Sequence, residues 1–235
     1  MNNDNIINID TTVHPLDEYE FKKDATYTML SARRSGKSFM IRNLVYLLMK
    51  RKLIDVVYVF SYTADIDEAY NWVAKEYIIN PKNMDKTVDL IMKVQKSLLD
   101  KAKKVCIVCD DFDITSQSDS LDMLYTRGRH YHITTVLSCQ ITTKSISPSI
   151  RNNTQYLFVR KLNSKTIKEN IYNMLLNSDF DSGQELYKFV RDNTDNYQFI
   201  LYLNDDDRPS NEALQLVKAR PVKFRFDYIA PLPKK

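Results

Sequence analysis

Glycine is scarce. The 235-residue chain has three, so little is left for loops and each is expected to hold a position that needs it. Cysteine is equally rare. Cys106, Cys109 and Cys139 are an odd number, all within apolar runs, which reads as free thiols in a reducing compartment and excludes a disulfide framework. "CIVC" has the spacing of a zinc or redox pair. In an extended strand, however, residues three apart face opposite sides. No second CxxC follows, and His14, His130 and His132 complete no finger pattern. No stretch approaches the roughly 18 uncharged apolar residues of a membrane span. The opening "MNNDNIINID" has neither the basic nor the apolar region of a secretory leader. Neither charge sign dominates. Lys and Arg number 34 against 30 Asp and Glu, a net +4 that permits an acidic partner such as nucleic acid without requiring one.

What is present is a core. Hydrophobic residues make up 43% of the chain and charged residues 27%, enough for one sizeable packed domain. Residues 1–20 are polar and acidic and read as an N-terminal arm, with a single domain over 21–235. Apolar strands are expected at Ala25–Ala32, Asp55–Ser61, Val105–Phe112, Ile133–Gln140, Gln155–Arg160, Tyr197–Leu203 and Val222–Phe226. Helical spacing runs through 36–52, 83–104, 118–128, 164–177 and 183–191. Strands that are apolar throughout and separated by helices indicate an α/β fold with a mostly parallel central sheet flanked by helices.

The stretch "SARRSGKS", Ser31–Ser38, falls between the first strand and the first helix. A phosphate-binding loop needs that placement, with backbone N–H groups at a helix head, a Lys for the β/γ-phosphates and a hydroxyl for magnesium. Gly36, Lys37 and Ser38 meet the pattern; Ser31 stands where the first glycine belongs. That position starts the turn, and serine fits it at negative φ. The loop and its helix head give Ser31, Ala32, Arg33, Arg34, Ser35, Gly36, Lys37, Ser38 and Phe39 as the nucleotide-binding set. Arg33 and Arg34 could neutralise nucleotide charge or touch a neighbouring subunit.

Downstream, "KKVCIVCDDF" is an apolar strand ending in two acids. In P-loop NTPases such a strand holds magnesium through its terminal Asp. This makes Asp110 and Ser38 the metal ligands and Asp111 the group that polarises the attacking water. A solvated loop cap is the plainer alternative. The strand Ile133–Cys139 then ends in Gln140. Inserted between the phosphate-loop strand and the acid strand, it would put Gln140 beside the γ-phosphate. Just before it, Arg127 and Arg129 flank Gly128. An arginine completing a neighbour's active site is worth about 10³–10⁵ in rate; solvated arginines or DNA-phosphate contacts would give the same pattern.

In this order "SARRSGKSFMIRNL", "VCIVCDD", "RGRHYHITTVLSCQ" and "ISPSIRNNT" resemble the poxvirus-type genome-packaging ATPases of large DNA viruses and virophages, a branch of the FtsK/HerA superfamily. The resemblance covers about residues 25–205. It implies a RecA-like P-loop NTPase fold of the additional-strand class. It also implies hydrolysis of ATP with Mg²⁺, coupled to moving double-stranded DNA into a preformed capsid. Implied partners are DNA, capsid vertex proteins and copies of the chain in a ring of five or six. The place of action would be the host cell cytoplasm, a viral factory or the virion. Carried over, Lys37 and Ser38 bind phosphates and Mg²⁺, Asp110 holds Mg²⁺, Asp111 polarises water and Gln140 senses the γ-phosphate. Arg129 is the first candidate trans finger, with Arg127 and Arg151 behind it. Two residues depart from the pattern: Ser31 for Gly, and Asp111 where many members carry Glu.

Two other readings fit parts of the sequence. A nucleotide kinase would share the size and the loop, but the Gln-ended strand argues against it. A DNA-binding capsid module with a vestigial loop would use the basic C-terminal tail, where Lys223 and Arg225 alternate with Val222, Phe224 and Phe226 as one face of a strand.

Overall fold

The computed structural model describes residues 11–32, 34–64, 68–98, 101–112, 119–139, 146–161, 171–172, 180–204 and 213–225, with the backbone alone at 111 and 112. Nine strands form one sheet. They are β1 (Val13–Pro15), β2 (Thr26–Ser31), β3 (Val56–Ser61), β4 (Ile78–Ile79), β5 (Val105–Phe112), β6 (Ile133–Cys139), β7 (Tyr156–Arg160), β8 (Gln198–Leu203) and β9 (Leu214–Lys218). Their order across the sheet is β1-β9-β8-β7-β2-β6-β5-β3-β4. From β7 to β4 every pairing is parallel. The β7–β8 and β8–β9 pairings are antiparallel, and β1 runs parallel to β9.

Every residue of β2, β3, β6 and β7 is buried. This is why these strands read as unbroken apolar or β-branched runs: a parallel sheet is covered on both faces. The covering helices are α1 (Lys37–Lys50), α2 (Met84–Leu98), α3 (Asp119–Arg127), α4 (Pro148–Asn153) and α5 (Gly183–Asn193). Helix α1 buries Met40, Ile41, Leu44, Val45, Leu47 and Leu48, the apolar stripe its spacing predicts. Its buried Asn43 accepts the Arg220 backbone N–H at 2.9 Å, tying the chain after β9 to the helix. Ser147 caps α4 by accepting from the Ile150 N–H, and Ser182 caps α5 by accepting from the Glu185 N–H, each at 3.2 Å.

The strand order matches the expectation that matters most for function: β6 lies between the phosphate-loop strand β2 and the acid strand β5. Three expectations change. "VKFRF" is not a strand: residues 221–225 have no regular structure, and "LQLVK" forms β9 instead. Phe224 turns inward. Its ring lies 4.9 Å from Trp72 and 5.3 Å from Tyr46, with the Arg42 guanidinium over it at 5.9 Å. The expected basic strand face at Lys223 and Arg225 therefore does not exist. The N-terminal arm expected over 1–20 contributes a strand, β1, and a 3₁₀ turn, Leu16–Glu18, whose Leu16 is fully buried. Helix α2 ends at Leu98, where the spacing predicted helix to 104; the strand begins at Val105. The helix expected over 164–177 lies outside the described residues except for 171–172.

Candidate nucleotide site

Parallel strands end together, so the C-terminal ends of β2, β5, β6 and β7 line one edge of the sheet. The loop of residues 31–36 sits there. Ser31 is the last residue of β2 and Gly36 the N-cap of α1. Gly36 has φ +89°, the left-handed region that glycine enters without steric cost. A Cβ there would lie 3.0 Å from Arg160 Nη1 and 3.1 Å from Tyr197 Cδ1. Arg34 is also left-handed, at φ +54°.

The serine in place of the first glycine is built in. It belongs to an extended strand, as a non-glycine residue requires. Its Oγ lies 2.6 Å from Ser35 Oγ, a hydroxyl–hydroxyl bond that closes the loop across its base. Both serines are buried. Lys37, also buried, folds back into the loop, where its Nζ donates to the Ala32 carbonyl at 3.0 Å and the Ser31 carbonyl at 3.3 Å. An ammonium held by backbone carbonyls at a helix head stands where phosphate oxygens are bound in such loops.

Ser38 and Asp110 come together from α1 and β5, 72 residues apart in sequence, with Oγ and Oδ2 separated by 3.5 Å. Asp110 is buried, and the Tyr70 hydroxyl donates to the same Oδ2 at 2.6 Å. A hydroxyl and a carboxylate are hard oxygen donors, and one or two such groups are what Mg²⁺ takes from a protein when substrate phosphates and water complete its shell. The residues present therefore fit the ion and the phosphates it accompanies. At Asp110 the β5–β6 register shifts: Asp110 pairs with Ser138 and Phe112 with Cys139, leaving Asp111 as the extra residue of a bulge. Bulges re-aim the chain at sheet rims beside functional sites. The Asp111 side chain lies outside the described atoms, as do Arg33 and Gln140. Cys139, the last residue of β6, is buried at this edge. Burial pushes its thiol up to about 12, with nearby Asp110 adding to the rise and Lys37 opposing it. Cys106 and Cys109 are raised further by the same burial.

Arg160 was not visible as a site residue. It ends β7 beside Ser31, buried, and donates Nε to the Thr194 carbonyl at 3.0 Å and Nη1 to the Ser35 carbonyl. Its guanidinium lies over Tyr197 and Phe199 at 5.6 and 5.4 Å. Burial lowers its pKa, while Asp195 and Tyr197 oppose the shift. Arg160 thus braces the phosphate loop from behind. Tyr70 was missed as well. Tyr70 reaches Asp110 across 40 residues of sequence and Arg160 reaches Ser35 across 125, which local spacing does not register.

The three candidate finger arginines lie elsewhere. Arg127 ends α3 and Arg129 is in the 3₁₀ turn Gly128–Tyr131 that leads into β6; both are exposed. Arg151 is on α4, ahead of β7, half-buried, with its Nε donating to Asn152 Oδ1 at 3.2 Å. All three precede the N-terminal ends of β6 and β7, which flank β2, the strand whose C-terminal end carries the loop. The seven-residue β6 spans roughly 20 Å and the five-residue β7 roughly 15 Å, so all three start from the opposite end of the sheet to this chain's own phosphate loop. A surface hollow lined by His14, Glu18, Tyr19, Glu20 and Gln215 lies at the β1–β9 edge, away from this chemistry.

With this geometry the chain has a RecA-like P-loop ATPase fold of the additional-strand class, and comparison with solved structures agrees. The genome-packaging NTPase B204 of Sulfolobus turreted icosahedral virus 2, in complex with ATP-gammaS, superposes with a TM-score of 0.59 at 14% identity, over 86% of this chain and all of that one. The pCW3 conjugation coupling protein TcpA gives 0.55 at 16% identity over 87% of this chain and 61% of that one. EssC (ATPases 2 and 3) from Geobacillus thermodenitrificans gives 0.57 at 13% identity over 87% and 42%. In sequence, the chain is 25% identical over 230 residues to the uncharacterized protein L437 of Acanthamoeba polyphaga mimivirus, covering 89% of this chain and 78% of that one. No model of a known protein family matches. The solved neighbours include a viral genome-packaging NTPase, the kind of protein that the sequence motifs resemble.

Proposed function

We propose that the chain is an ATP-hydrolysing motor that translocates double-stranded DNA into a preformed capsid. The observation that carries this reading is the convergence of Lys37, Ser38 and Asp110 at one sheet edge, with β6 inserted between β2 and β5. The likeness to a genome-packaging NTPase over its whole length supports it, and so does a mimivirus relative.

In this reading the loop from Ser31 through Phe39 holds the nucleotide. Lys37 exchanges its two carbonyl acceptors for β- and γ-phosphate oxygens. Ser38 and Asp110 hold magnesium, which when bound neutralises charge developing on the phosphates. Asp111 accepts a proton from the attacking water and Gln140 contacts the γ-phosphate. Arg129, or failing it Arg127 or Arg151, completes the site of a neighbouring copy. The separation between these arginines and the loop supports action in trans, in a ring that the resemblance implies has five or six copies. DNA would be gripped through its phosphates without reading sequence, and capsid vertex proteins would anchor the ring in a viral factory, the host cytoplasm or the virion. No helix among the described residues is long and apolar enough to cross a membrane.

The test is steady-state ATP hydrolysis against protein concentration, with and without double-stranded DNA. The motor reading expects a specific rate that climbs with both, and its loss in Lys37→Ala. A flat, DNA-indifferent rate would replace the motor with a self-contained nucleotide enzyme. Absence of ATP binding would leave the vestigial-loop reading.

A further inference from the structure

Tyr197 stands out among the residues around the loop. It is 45% exposed, one of few large apolar side chains at the described surface to be so open. It is also left-handed, at φ +62°, directly after Asn196 at φ +49°. Two consecutive non-glycine residues in that region are uncommon, and such backbone is held only where the surroundings over-determine it. Here Arg160 lies over one side of the ring at 5.6 Å, and the ring edge fills the space beside Gly36. Phe39, in the first turn of α1, meets it at 4.6 Å between centroids, tilted by 40°.

The direction of a bound nucleotide follows from the sheet order. The metal pair Ser38–Asp110 lies toward β5, on one side of β2. Arg160 and Tyr197 lie toward β7 and β8, on the other. Terminal phosphates placed at the metal pair leave the nucleoside end to emerge on the β7–β8 side, over Phe39 and Tyr197. We infer that Tyr197 and Phe39 form the stacking platform for the nucleobase, and that they make the site prefer a nucleotide over bare polyphosphate. This rests on the phosphate-site reading above and adds the base to it. Stacking uses the π-face that every base has, so the platform favours purines over pyrimidines by area and separates adenine from guanine weakly.

The experiment is calorimetric titration of the full chain, with Mg²⁺, using two probes: a non-hydrolysable ATP analogue and inorganic tripolyphosphate. Wild type is expected to bind both, the nucleotide more tightly. Tyr197→Ala should weaken the nucleotide by about 10-fold, the scale of one lost base stack, and leave tripolyphosphate unchanged. Tyr197→Phe should bind as wild type. Phe39→Ala, on a well-formed helix, should repeat the alanine pattern and serves if Tyr197→Ala does not fold. Equal weakening of both probes would make Tyr197 a brace of the loop and overturn the proposal, as would no change in either. Wild type that binds neither probe would instead remove the phosphate site itself, and the platform with it.

Discussion

The Tyr70 hydroxyl donates to Asp110 Oδ2 at 2.6 Å, and the same oxygen faces Ser38 Oγ at 3.5 Å. A residue from the 3₁₀ turn Glu68–Tyr70 thus aims the Asp110 carboxylate, which precedes the bulge near the end of β5. Partners of this kind tune affinity by about 10–100-fold when removed. Tyr70→Phe keeps the ring packing and deletes the donor. The Mg²⁺ concentration for half-maximal nucleotide binding should rise by about 10-fold, measured by titrating the metal at fixed nucleotide.

Gly36→Ala meets two obstacles. Its φ of +89° strains any L side chain, and its Cβ would press on Arg160 Nη1 at 3.0 Å and Tyr197 at 3.1 Å. Backbone strain of this kind costs on the order of 1–3 kcal/mol. Urea denaturation should give a stability loss in that range, together with weakened nucleotide binding.

Arg160→Met keeps the length of the side chain and removes its donors. The Ser35 and Thr194 carbonyls then lose a buried partner, at about 1–3 kcal/mol for each group left unsatisfied. The variant should fold with a lowered denaturation midpoint. It should bind tripolyphosphate more weakly than wild type, because Ser35 belongs to the loop.

The buried thiols give a pH signature. Cys139 is raised from 9.0 to about 12 in the folded chain. Its protonated form is favoured by folding, so this contribution is whole below pH 9 and is lost as pH rises toward 12, where the unfolded chain releases the proton first. Denaturation midpoints should hold steady up to pH 9 and fall beyond it. At pH 8 a thiol reagent should label native protein slowly and denatured protein at all three cysteines.

The sheet was legible where burial is complete. β2, β3, β5, β6 and β7 each announce themselves as apolar runs, and the motif "SGKS" needed only a strand before it and a helix after it. The edges were not. "LQLVK" and "VKFRF" both alternate, and which one pairs with β8 depends on Phe224 finding Trp72 and Tyr46. β1 and β4, three and two residues long, have no pattern to read. Within the site, Lys37, Ser38 and Asp110 follow from spacing because the chemistry dictates it. Tyr70 at Asp110, Arg160 at Ser35 and Tyr197 beside Gly36 come from distant parts of the chain, and only the folded sheet brings them there.

The separation of the phosphate loop from Arg127, Arg129 and Arg151 gives the subunit a polarity. If an arginine from one copy completes the loop of the next, the contact joins unlike surfaces, and repeated in one sense around an axis it runs head to tail. An open row of such copies always leaves one loop unfinished at its end. Closure of that row into a ring makes the number of complete sites equal the number of subunits.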